Sequence, residues 1–309
     1  MSDFEIERRS FFAGAVAALL APPIFAQEAD RPLILVLTSD TVPRSAQIAA
    51  TFKKSCDFAT RISYQIGDEV DAGAFIADNI RDQGVSLVFA VGPLALKIAT
   101  REFTGTPIVF SEVTEIPQTG GTVVGVSTRL DPQGMIERLK KLHPGMTRIG
   151  LLHGSAADDP YWVHTTAMAG ALGLKPVVRS VTTPEEVENA FKALLSSSDL
   201  VWIQQEPRIW TATVLSRVFH EANLQKFPVV SFSRTHLEAA NPPAIVAYGH
   251  PDGVAQTAAQ MARQILLDEP PPLYNYVTPM LVGHMRSMRS VGMTVSAKTA
   301  ELLDELITK

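Results

Sequence analysis

The chain has 309 residues, 46% hydrophobic and 19% charged, which is enough apolar surface for two folded domains and too much for a disordered chain. A net charge of -5 with no run of five basic residues argues against a nucleic-acid groove or a polybasic membrane patch. The one cysteine, Cys56, rules out an intramolecular disulfide and any multi-cysteine zinc site; it falls on a helical pattern and reads as a packed thiol.

At the start of the chain, Arg8 and Arg9 precede an apolar run from Phe11 to Leu20, then Pro22-Pro23 and Ile24-Phe25-Ala26 ahead of a polar stretch. Charge, apolar run and small-residue site in that order predict an export signal over residues 1–26, removed after Ala26. The run is shorter than the roughly 20 apolar residues that span a bilayer, and no later stretch approaches that length. The mature chain is therefore expected in the periplasm with no membrane insertion. The stretch RRSFF is similar to the twin-arginine export motif, from which Glu7 and the acidic Asp3 and Glu5 depart. Both the Sec and the twin-arginine routes stay open.

From Arg31 onward, short β-branched apolar runs alternate with amphipathic segments of helical length, the pattern of an α/β fold with parallel sheets. Strands are predicted over 33–39, 62–66, 86–92, 106–113 and 123–128, with helices over 44–56, 72–84 and 93–103 between them. A helix begins near Asp131-Pro132 and stops at Pro144-Gly145. A second series follows, with strands over 148–153, 176–181, 199–204 and 228–233 and helices near 160–172, 184–195 and 210–225. The tail adds a strand over 244–249, a helix over 252–269, the prolines 270–272, an apolar stretch and a last helix over 296–307. Two successive βα series predict two Rossmann-like lobes, the tail returning to the first and crossing again. Ligands of open α/β sheets sit where strand-to-helix loops converge, so facing lobes would share a cleft.

The stretch HGSAADDPYWVH, 153–164, concentrates two histidines, two aspartates and two aromatics. A metal site is disfavoured, because His153 ends a strand whereas His164 lies a turn inside the next helix. Capping of that helix by Asp158 or Asp159, with Pro160 in its first turn, accounts for the same residues; a ligand contact from these carboxylates is compatible with capping. Tyr161 and Trp162 suit either stacking on a planar ligand or packing. No Gly-x-Ser-x-Gly elbow, phosphate-binding loop or His-Glu-x-x-His occurs, so no catalytic residue, metal or cofactor is expected and the chain reads as no enzyme.

The segments SLVFAVGPLALKIA, TPIVFSEVTEIPQTGGTVVGVST, MIERLKKLHPGMTRIGLLHG and LVGHMRSMRSVGMTVSAKTAELLDELI resemble, in that order, the periplasmic substrate-binding proteins of ABC transporters. The resemblance is to the branch associated with tryptophan and tyrosine uptake and covers roughly residues 31–305. It implies the type 1 binding-protein fold: two lobes joined by a three-crossover hinge, closing on a small molecule and presented to an ABC permease. The implied lobes are 27–126 plus 249–278 and 127–248 plus 279–309. By position, implied contacts from the first lobe are Ser39, Asp40, Gly92, Pro93, Thr114 and Glu115. From the second they are Ala157, Asp158, Asp159, Gln204, Gln205, Arg208, Ser233 and Arg234, with Trp210 as a stacking candidate and Tyr248 and His250 near the hinge.

Two departures bear on the ligand. Gly92-Pro93 stands where relatives carry glycine and a hydroxyl residue, and Asp158-Asp159 where they carry Asn-Ser. The acidic pair would favour a cation, whereas Arg208 or Arg234 could take a carboxylate bidentately; a zwitterionic, amino-acid-like ligand fits both. The expectation is a monomeric periplasmic solute-binding protein with a small polar ligand. The alternative is a ligand-responsive sensor subunit for a receptor or kinase.

Overall fold

The structure is a computed structural model that describes residues 31–39, 42–66, 76, 78–113, 123–154, 156, 158–269, 271, 272 and 274–308. The export signal expected over 1–26 and most of the helix expected over 72–84 lie outside these residues. Residues Pro32–Lys309 pack as one unit.

The first series runs β1 (Leu33–Thr38), α1 (Pro43–Ser55), β2 (Thr60–Gln65), β3 (Val85–Val91), α2 (Pro93–Glu102), β4 (Ile108–Ser111) and β5 (Val123–Leu130). The second runs α3 (Pro132–Leu142), β6 (Arg148–His153), α4 (Pro160–Ala171), β7 (Lys175–Ser180), α5 (Pro184–Ser197), β8 (Leu200–Ile203), α6 (Ala212–Leu224), β9 (Val229–Ser231) and β10 (Ile245–Gly249). The tail is α7 (Pro251–Leu266), β11 (Tyr274–Val277), β12 (Pro279–His284), α8 (Met285–Ser290), α9 (Ala297–Ala300) and β13 (Glu305–Ile307). Six of these nine helices open on proline, where the missing N–H would have had no intrahelical acceptor and the fixed φ suits the first turn.

The strands form two sheets, in the orders β11-β5-β4-β3-β1-β2 and β13-β12-β10-β9-β8-β6-β7. Both faces of each are covered over the central strands, which is why those read as unbroken apolar runs. In β1, Ile34 and Val36 face α1 and α7, and Leu35 and Leu37 face α2. In the second sheet, Leu151 and Trp202 pack with α3 and α4 whereas Leu152 and Ile203 pack with α5 and α6. Cys56 is fully buried in the α1–α7 layer, and burial pushes its thiol up to about 12.

Three segments cross between the sheets, after Leu130, after Gly249 and at Thr278. They touch one another: the Asp131 N–H donates to the Val277 carbonyl at 2.9 Å, and Gly249 pairs with Pro279. Gly249 is needed there because an added Cβ would lie 2.8 Å from Val277 Cγ1. The first sheet takes its edge strand and the helix α7 from beyond the second series.

Two expectations are corrected. The parallel pattern fails at β10 and β12, which are antiparallel; with only Thr278 between β11 and β12, the chain runs straight from one sheet into the other and meets β10 head-on. The last helix, expected over 296–307, is four residues long. The Asp304 carboxylate accepts from the Leu281 N–H at 2.7 Å and from Arg138 at 2.8 Å, and the chain then extends as β13 beside β12. Tertiary pairing at a sheet edge has overridden a helical pattern.

Candidate functional site

A cavity of about 620 Å³ opens between the two sheets, lined by residues of both. From the first series come Val42, Arg44 and Ser45 at the start of α1, Gly92 and Pro93 at the start of α2, and Glu112 after β4. From the second come Gln204, Gln205 and Trp210 after β8, Phe232 to Arg234 after β9, and Tyr248 with Gly249 at the end of β10. Strand C-termini and helix N-termini supply these positions, as open α/β sheets require.

Of the residues expected from sequence, Gly92, Pro93, Gln204, Gln205, Trp210, Ser233, Arg234 and Tyr248 line the cavity. Asp40, Thr114, Glu115 and Ala157 lie outside the described residues. Ser39 is behind the wall: its hydroxyl accepts from the Ala95 N–H at 2.8 Å and caps α2. Gly92, at φ 94°, passes over it so closely that a Cβ would sit 2.6 Å from Ser39 Oγ. Asp158 and Arg208 are exposed and do not line the cavity, nor does His250, whose Nδ1 accepts from the Asp252 N–H and caps α7.

Asp159 caps α4 through the Tyr161 N–H at 2.9 Å and also holds Arg129 in a bidentate pair at 2.6 and 2.7 Å. Both side chains are largely buried, at 22% and 16% exposed. Burial alone would lower the Arg129 pKa, but the bonded Asp159 carboxylate and the nearby Glu206 raise it. Arg129 lies in β5 of the first sheet, so the pair ties a crossover strand to the second lobe. Neither histidine of this stretch lines the cavity: His153 is buried and stacks on Trp162, with ring centroids 4.6 Å apart, and the exposed His164 stacks on Tyr276. Among the described residues no three His, Cys, Asp or Glu side chains converge as metal ligands.

Sequence reasoning missed an ion pair in the cavity wall. Arg44 Nε and Nη2 donate to Glu112 at 2.7 and 3.1 Å, and Nη1 donates to the Gly249 carbonyl at 2.9 Å. Glu112 holds the left-handed φ of 56°, unusual for a residue with a Cβ and in keeping with a position over-determined by its surroundings. On the other side Trp210, Phe232 and His236 make an aromatic wall, with Phe232 6.5 Å from Trp210 and 4.8 Å from His236. Arg234, also in the wall, forms a two-point ion pair with Glu305 of β13.

Two sheets, three adjoining crossovers and a cleft lined from both sides form the frame against which relatives are compared. Residues 31–278 match the model of the family described as ABC transporter substrate binding protein. The chain belongs to that family. No curated protein matches it. Among solved structures, this substrate-binding protein is similar to CD0873, a substrate binding protein with adhesive properties from Clostridium difficile, in its ligand-free, open form. That likeness has a TM-score of 0.67 at 18% identity, over 90% of this chain and 100% of the other. It is also similar to an ABC domain in complex with L-Trp from Streptococcus pneumonia, with a TM-score of 0.58 at 18% identity over 90% and 100% of the two chains. At these identities the likeness is one of fold. Among the described residues, no helix of this family member is long and apolar enough to cross a membrane.

Proposed function

We propose that the chain captures a small polar, amino-acid-like molecule in the cleft between its lobes and delivers it, as an exported periplasmic monomer, to an ABC permease. The observation that carries this reading is the shared lining of the cavity. The first lobe brings an arginine and a glutamate, and the second brings two glutamines, Ser233 and Arg234 beside an aromatic wall. Opposite charges at Arg44 and Glu112 suit a zwitterion, and Trp210 and Phe232 suit an apolar or planar side chain. A molecule touching both walls binds the closed arrangement better than the open one, and that difference in affinity drives closure. The function needs binding and release, with no bond made or broken.

Thermal denaturation of the protein lacking residues 1–26, against L-amino acids, purines, polyamines and small carboxylates, tests the proposal. One chemical class should raise the midpoint by on the order of 5 °C at a hundredfold excess over Kd. A uniform absence of stabilisation overturns it.

A further inference from the structure

We infer that Tyr161 fixes the side-chain amide of Gln204 so that its carbonyl oxygen, Oε1, is the group offered to the cleft, and that the ligand must bring a hydrogen-bond donor to meet it. The inference rests on the capture reading above and adds the chemistry of one contact.

Gln204 follows β8, lines the cavity and is only 6% exposed; Tyr161, in the first turn of α4, is 3% exposed. Burial raises the pKa of the Tyr161 phenol, so at any working pH the hydroxyl carries one proton. That proton goes to the Leu130 carbonyl at 2.9 Å, in the crossover strand β5. The Arg129 guanidinium, 4.9 Å over the ring, and the Asp159 bond at the helix start hold Tyr161 in place. The phenol oxygen can then only accept, and the amide of Gln204 lies against it, with Nε2 donating to the Tyr161 hydroxyl.

Turned the other way, the amide would set Oε1 against an oxygen whose proton is already engaged, bringing two acceptors together inside a buried wall. The proton count therefore settles which end of the amide faces Tyr161. Oε1 accepts no hydrogen bond from any described residue. Oε1 therefore keeps accessible surface, on a residue that lines the cavity, and a ligand that displaces water from it must return a hydrogen bond from an N–H or O–H. Leu130, Ala247 and Trp210 line the same cavity. The fitting chemistry is a donor carried on an apolar or planar body: an amine, an amide, a ring N–H or a hydroxyl. Tyr161 is a positioning residue, acting through Gln204.

The test uses the mature protein and a panel of L-amino acids, purines and small amides, each paired with its N- or O-methylated counterpart. In the unaltered protein, blocking the donor that meets Oε1 should weaken binding about tenfold. Tyr161→Phe keeps the ring, frees the amide to turn and should shrink that preference below about threefold; Gln204→Met, which deletes the carbonyl, should do the same if Tyr161→Phe does not fold. Independently of ligand, ¹⁵N NMR should show a Gln204 side-chain N–H protected from exchange, assigned by its absence in Gln204→Glu and lost in Tyr161→Phe. Equal binding of free and methylated probes, or a Tyr161→Phe protein with unchanged preference and amide protection, overturns the inference. If no probe binds, the capture reading fails, and the NMR signature alone decides the orientation of the amide.

Discussion

His236 shows how a single protonation reaches the cleft. Its ring packs between Phe219 and Phe232, its Nδ1 lies 2.7 Å from Ser231 Oγ, and burial lowers its pKa from 6.5. In the window just below 6.5 the unfolded chain therefore binds a proton that the folded one refuses, and stability falls as the pH drops. Urea denaturation should show a lower midpoint at pH 5.5 than at pH 7, and His236→Gln should flatten part of that slope. His143, whose pKa burial also lowers, adds to the slope in the same direction. From sequence, His236 was one of several scattered histidines. Nothing local to it marks the two phenylalanines that enclose it, one of them seventeen residues earlier on α6. Arg44 was more findable: it follows Pro43 at a helix N-terminus, on the side of the sheet where ligands bind. Its partner Glu112 lies 68 residues on, a separation that no local pattern spans.

At the scale of elements, caps were legible and their second partners were not. The sequence Asp-Asp-Pro announces the start of α4, and Asp159 with Pro160 delivers it. The same carboxylate's pairing with Arg129 was invisible, because a charged residue near the end of an apolar strand reads as a solvated one. Asp159→Ala removes a cap worth about 1 kcal/mol and strands a largely buried guanidinium at a further cost of about 1–3 kcal/mol. Urea denaturation should register a loss of about 2–4 kcal/mol. Asp159→Asn, which retains capping, should recover only the smaller part. Residues 296–307 carry a helical pattern, yet the helix ends at Ala300 and Glu305–Ile307 form β13, since the hydrogen bonds of β12 and the contacts of Asp304 are supplied from outside the segment.

For the whole molecule, the alternation of strands and helices was enough to read two lobes, because each buried strand and amphipathic helix announces itself within a dozen residues. Which strand borders which was not readable. Strand order depends on where crossovers pass, and the antiparallel β10–β12 pair follows from a junction one residue long. The three crossovers adjoin through Asp131, Val277, Gly249 and Pro279, so one lobe can turn on the other with little rearrangement in either core. Small-angle scattering should then show the radius of gyration falling toward about 19 Å, the value for a compact chain of this length, when a stabilising compound is added. An unchanged radius at saturation would count against closure.

The first sheet is not finished by the first half of the chain. Its edge strand β11 and the helix that seals one face, α7, contributing Val254, Ala255, Ala258 and Met261 to the core, arrive only after residue 250. During synthesis the leading lobe thus lacks part of the cover of one face until α7 is made, and its edge strand until Val277. A nonsense codon between the end of β5 and the start of α7 would leave an exposed apolar layer for proteases or aggregation to find, and the lobe translated first would be the one left unsealed.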